Sequence, residues 1–209
     1  MDNNQLPWPK KGEKLFKDTG EYYQHSHFAW GDFWTQFSGY TAGYKDSADA
    51  LIEKAIDSKD ISKLDTFVFP ICFLYRQYLE LEMKVLYLNY SEDTPDEKRK
   101  TIRTVNHNLW KIWKKIKNIL IENSDETGFN TIEVVEDYII QFHKLDETSY
   151  TFRYPIDKNL NLYFDSQKRL DLLNLKTRMD ELQSFFDGCE GALWEIKKFK
   201  YDISKYFNE

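Results

Sequence analysis

The stretch Thr66-Phe67-Val68-Phe69-Pro70-Ile71-Cys72-Phe73-Leu74-Tyr75-Arg76-Gln77-Tyr78-Leu79-Glu80-Leu81-Glu82-Met83-Lys84-Val85-Leu86-Tyr87-Leu88-Asn89-Tyr90 is the most apolar of the chain, and its reading decides the fold. Proline fits the first turn of a helix, where its missing N–H is not needed, so a central helix is expected over 70–89. Phe73, Leu74, Tyr75, Tyr78 and Leu81 make that helix apolar nearly all round, which places it inside a protein. Arg76, Glu80 and Lys84 stand four residues apart and share one face, where they form a ladder of opposite charges, with Glu82 off that face. On a solvent-facing helix each such pair contributes only about 0.3–0.5 kcal/mol. Inside a bundle, Arg76 and Glu80 have to be paired or functional.

Periodicity of three and four extends the helical reading in both directions. Upstream, Trp30, Phe33, Phe37, Thr41, Tyr44, Ala48, Leu51 and Ala55 mark one face of a long helix, in which Gly31, Gly39 and Gly43 either weaken it or admit another helix. Before it, residues 1–19 carry Pro7, Pro9 and several lysines and read as an irregular arm. Downstream, Ser91 to Pro95 forms a connection, with Asp93 or Thr94 as a cap and Pro95 opening a short helix that breaks near His107. Leu109, Ile112, Trp113, Ile116, Ile119 and Leu120 give an amphipathic helix capped by Asn106 or Asn108. Ile132, Val135, Ile139, Phe142 and Leu145 give another. Residues 150–165 lack this period, contain Pro155 and alternate at Asn159-Leu160-Asn161-Leu162, so they form a short irregular or hairpin-like loop. The pattern returns from Leu170 to Tyr206, with Gly188 and Gly191 as an expected kink. The expected fold is therefore all-α: an up-and-down bundle of about five to six helices, one domain over 20–209 behind the arm.

Composition agrees. Hydrophobic residues are 41% and charged residues 31% of 209, too apolar for a disordered chain. The 8 glycines and 5 prolines against 14 Tyr, 15 Phe and 6 Trp favour long elements over turns. No run approaches the roughly 18–20 apolar residues of a membrane span, and the first residues hold no secretory core, so a cytoplasmic protein is expected. Cys72 and Cys189 lie far apart in apolar surroundings and read as free buried thiols.

The net charge of −6 argues against nucleic-acid binding by the whole surface. Locally, however, 98–118 holds Lys98, Arg99, Lys100, Arg103, Lys111, Lys114, Lys115 and Lys117 and no acid. Beside Trp110 and Trp113 this row reads either as a solvated face or as a phosphate-binding surface with an aromatic to stack a base. His107 follows Arg103 by four residues, and on a continuous helix the two side chains would meet. Such a pair suits RNA cleavage, the histidine moving a proton and the arginine steadying the phosphorane; a histidine that only hydrogen-bonds a neighbouring helix is the alternative. Ser149 to Pro155 is a polar and aromatic stretch where function often sits, although Ser149 also suits a helix end and Arg153 a structural clamp onto Glu80 or Asp146. His25, His27 and His143 show no metal spacing, and no phosphate loop or nucleophile elbow is present, so no metal or cofactor is expected.

Phe73 through Lys84, then His107-Asn108-Leu109, then Ser149 through Pro155, taken in that order, resemble a group of bacterial helical proteins related to the HEPN superfamily, over roughly Trp30 to Gly191. The resemblance implies a small helical bundle that dimerises. It implies either a metal-independent ribonuclease of phage-defence or toxin–antitoxin type, or a non-catalytic module that binds a nucleotide or a partner protein. In active members an arginine precedes the histidine by four to six intervening residues; here Arg103 leaves three. Carried onto this chain, His107 with Arg103 or Arg76 would be catalytic. Glu80, Lys111, Lys114, Lys115, Ser149, Arg153 and Tyr154 would hold the RNA.

Overall fold

Among the described residues six α-helices follow one another: α1 (Phe33–Ser58), α2 (Ile61–Tyr90), α3 (Pro95–Val105), α4 (Leu109–Glu122), α5 (Glu126–Leu145) and α6 (Leu172–Asn208). They come from a computed structural model that describes residues 7–208. Among the described residues there is no strand, and the protein is the all-α helical bundle that the periodicity predicts. Local chemistry sets the helix starts. Asp60 accepts from the Ser62 amide, and Thr94 and Glu97 form a capping box around Pro95. Asn108 accepts from the Lys111 amide at 2.8 Å, and Asp125 from the Gly128 amide at 2.9 Å. Each such cap contributes about 1 kcal/mol. Asp93 is therefore not the cap of α3; it accepts the Tyr87 hydroxyl instead. Asn106 ends α3 with φ +48°, leaving Asn108 to open α4.

The chain separates into two units, Met1–Gln36 and Phe37–Glu209. In the first, the opening six residues of the expected arm lie outside the described residues; the remainder is irregular apart from a 3₁₀ turn at Tyr22–Gln24. Helix α1 starts at Phe33 rather than Trp30 because Gly31 takes φ +75° and Asp32 accepts both the amide and the hydroxyl of Thr35, at 2.8 and 2.7 Å.

In the second unit α2 packs on α4 and α6, and α4 also packs on α3 and α5. The core is built from Tyr75, Leu79 and Met83 of α2, Ile112, Trp113 and Ile116 of α4, Ile139 of α5, and Met179 and Phe186 of α6, joined by Ala48 and Ile52 of α1. Two expectations change. Helix α2 begins nine residues before Pro70, which lies inside it on the exposed face. There the Thr66 carbonyl, which loses its amide donor, can be hydrated. Helix α6 runs unbroken through Gly188 and Gly191, where an added Cβ would meet nothing within 4 Å, so neither glycine marks a kink or a close approach. The 150–165 loop is hairpin-like, closed by a single antiparallel bridge between Ile156 and Leu162 and by Asp157 accepting the Asn159 and Asn161 amides. Among the described residues no helix is long and apolar enough to cross a membrane.

Candidate functional site

Arg76 is fully buried, and each of its three guanidinium nitrogens has a partner. Nη1 donates to Glu80 Oε2 at 3.0 Å along α2, Nε donates to the Asp146 carbonyl at 3.3 Å, and Nη2 donates to the His107 carbonyl. Nε also stands 3.2 Å from Asp146 Oδ2. Glu80 takes Lys84 on its other oxygen at 2.6 Å, so two cations face two carboxylates. Burial presses the Glu80 carboxyl toward neutrality, but Lys84, His107 and Arg76 hold it below the usual carboxylate range. One side chain of α2 thus ties down both the turn after α3 and the end of α5. Arg76 is occupied as a clamp.

His107 lies in the α3–α4 turn with its side chain 49% exposed. Its Nδ1 is 3.0 Å from Glu80 Oε1, which selects the tautomer with the proton on Nδ1 and leaves Nε2 without a partner among the described residues. Arg103 does not join it. Helix α3 stops at Val105, and the left-handed backbone of Asn106 destroys the four-residue register that would bring the two side chains together. Arg103 is exposed.

The segment after α5 is anchored from below. Ser149 is 1% exposed, at φ +66°, and its hydroxyl accepts from Gln77 Nε2 at 3.4 Å; the Thr151 amide donates to Asp146 Oδ1 at 3.2 Å. Phe152 is 8% exposed and packs near Phe142 and Phe164. Arg153 pairs with neither Glu80 nor Asp146. Its Nε donates to the Ser149 carbonyl, and its guanidinium lies over the rings of Tyr150 and Tyr154 at 4.6 and 6.0 Å.

Along α3 and α4 the cations divide into two groups. Lys98 donates to the Leu88 carbonyl at 2.8 Å, Arg99 pairs with Asp96 at 2.5 Å, and Lys117 pairs with Glu136 at 2.8 Å. Lys100, Arg103, Lys111, Lys114 and Lys115 are exposed and have no ion pair among the described residues. Lys114 lies 5.7 Å over the ring of Trp110. Trp113 is fully buried, its Nε1 donating to Glu136 at 2.6 Å, so it is core, and Trp110 is the aromatic beside the free cations. No protein family, curated protein or solved structure matches the chain.

Two buried groups have other roles. Lys45 of α1, 2% exposed, pairs with Asp49 at 2.6 Å and Asp180 at 2.5 Å, and Asp49 also accepts the Tyr75 hydroxyl; this network ties α1 to α2 and α6. No spacing in the sequence reveals it, because Asp180 lies 135 residues away. Glu82 has its carboxyl pushed up to about 7, by burial first and then by Asp187 and Glu190. A carboxyl raised on folding binds its proton more tightly in the native state. The contribution of Glu82 to stability is therefore greatest at low pH and falls as pH rises from 4.5 to about 7. Glu82→Gln should flatten that slope, gaining about 1–3 kcal/mol at about pH 8 and little at about pH 5. Urea midpoints at the two pH values check this; an unchanged slope would mean that Glu82 is ionised throughout.

One cleft, of about 940 Å³, is lined by Val68, Phe69, Cys72, Phe152 and Phe164. Burial pushes the Cys72 thiol up to about 12, which makes it inert as a nucleophile. Another, of about 730 Å³, holds Lys98, Lys115, Lys197 and Lys200. Lys98 and Lys197 cap the last carbonyls of α2, at Leu88 and Asn89, a structural use of the charge. Among the described residues no group of acidic, histidine or cysteine side chains is arranged to hold a metal ion.

Proposed function

We propose that the chain is a HEPN-like, RNA-directed module of bacterial defence or toxin–antitoxin type, which binds RNA through α3 and α4. The observation that carries the reading is the row Lys100, Arg103, Lys111, Lys114 and Lys115, exposed and unpaired beside Trp110 on a protein of net charge −6. Unpaired lysines and arginines that displace counterions from a phosphate backbone give affinity without sequence preference, and an adjacent aromatic stacks a base. Binding is favoured over cleavage because all three guanidinium nitrogens of Arg76 are engaged in the fold and Arg103 stands apart from His107. The order of the three resembling segments supports the family reading, and with it action in the cytoplasm as a homodimer.

The test is fluorescence anisotropy with labelled RNA over a salt series. Replacing Lys111, Lys114 and Lys115 with alanine should weaken binding by on the order of 10-fold and make the salt dependence shallower by about 2 in log–log slope. An unchanged slope would leave a nucleotide or a protein as the partner.

A second reading has its own support. Glu80 fixes Nδ1 of His107 and leaves Nε2 free, the arrangement of a general acid or base. Incubation with total RNA in EDTA decides it: fragments from wild type and none from His107→Ala would establish metal-independent cleavage, while intact RNA in both would confine the protein to binding.

A further inference from the structure

We infer that the segment 149–154 is a stacking ledge that gives the RNA surface a preference for unpaired bases; this rests on the RNA-binding reading above. Tyr150 and Tyr154 lie parallel, their centroids 5.9 Å apart at 28°, and they stay 44% and 52% exposed. Arg153 is fixed against them by its Nε bond to the Ser149 carbonyl, while its two terminal nitrogens have no partner among the described residues. An exposed aromatic pair with an immobilised guanidinium offers what one unpaired nucleotide needs: a π face for the base and two N–H groups for the adjoining phosphate.

The ledge is rigid before any ligand arrives. Phe152 is buried near Phe142 and Phe164, Ser149 is buried against Gln77, and the Thr151 amide is held by Asp146. Its root is tied to the turn that leads into the basic helix. The single guanidinium of Arg76 donates to the Asp146 carbonyl and to the His107 carbonyl, so Asp146, three residues before the ledge, adjoins the turn that leads into Lys111, Lys114 and Lys115. A-form duplex keeps its base faces stacked within the helix and cannot use the tyrosines, though its phosphates can still meet the lysines.

Anisotropy with a labelled single-stranded oligoribonucleotide, and with the same strand annealed to its complement, separates the two contributions. Wild type should bind the single strand about 10-fold more tightly than the duplex. Tyr150→Ala/Tyr154→Ala should lose about 10-fold or more on the single strand and little on the duplex. Tyr150→Phe/Tyr154→Phe, which keeps the rings, should retain the preference, and Arg153→Gln should weaken single-strand binding without a change in thermal midpoint. The lysine variant should lose affinity for both forms. If wild type binds both forms equally, or the phenylalanine and alanine variants prefer the single strand alike, the ledge is refuted while lysine-dependent RNA binding stands. Absence of binding by wild type to either RNA overturns both readings.

Discussion

Arg76→Ala is expected to destabilise the protein by about 3–5 kcal/mol, the usual loss when one partner of a buried ion pair is removed. The substitution strands Asp146, 1% exposed, leaves Glu80, 3% exposed, with Lys84 as its one remaining close cation besides His107, and releases the carbonyls of His107 and Asp146 at once. Volume is not the issue, because Arg76→Met keeps most of the side chain's bulk and should still lose most of that stability. Arg76→Lys keeps the charge but presents a point cation where three differently directed bonds are made, and it should fall between wild type and methionine. Neutralising a carboxylate deprived of Arg76 should recover part of the loss, so Arg76→Met with Glu80→Gln should cost less than the sum of the two single changes. Urea denaturation of these variants, with Glu80→Gln alone among them, measures all of this. A loss under about 1 kcal/mol for Arg76→Ala would show the cluster to be well hydrated and Arg76 to be available for chemistry after all.

Trp113→Ala is expected to cost a similar amount, about 3–5 kcal/mol, because the indole is fully buried where α4 meets α2 and α5. Trp113→Phe refills most of the cavity and forfeits the bond from Nε1 to Glu136, which keeps Lys117 as its partner, so about 1 kcal/mol should be lost. RNA affinity of the phenylalanine variant should match wild type, since the aromatic at the basic surface is Trp110. A drop in affinity without a drop in thermal midpoint would instead place Trp113 in the binding surface.

How far the sequence could be read follows from how local each signal was. Of the stripe Leu109, Ile112, Trp113, Ile116, Ile119 and Leu120 all but Ile119 are buried, and of Ile132, Val135, Ile139, Phe142 and Leu145 the first three are buried and the last two half-buried, because one face of an amphipathic helix meets one core. The stripe from Trp30 is only half right. Trp30 and Phe33 are 52% and 56% exposed, and burial begins at Thr41. Pro70 misplaced the start of α2 because the rule against interior proline assumes that the freed carbonyl has no other partner, and on an exposed face water supplies one. The clamp is legible along α2, where Arg76, Glu80 and Lys84 pair as their spacing predicts, and not across to α5. Asp146 is a candidate partner in the sequence only for Arg153; which arginine reaches it depends on how α5 ends against α2, a contact across 70 residues. The Arg103 and His107 pairing failed on one residue, Asn106, whose left-handed backbone no spacing rule anticipates.

The Arg76 clamp also shapes how the molecule opens. The turn at His107 and the segment from Asp146 hang on the same guanidinium, so neither can detach without leaving a buried cation short of an acceptor. Local fluctuations that would otherwise be independent become one cooperative event, with a free energy well above that of ordinary surface loops. A surface assembled from the two segments is therefore either wholly present or wholly absent, and a ligand meets it already formed.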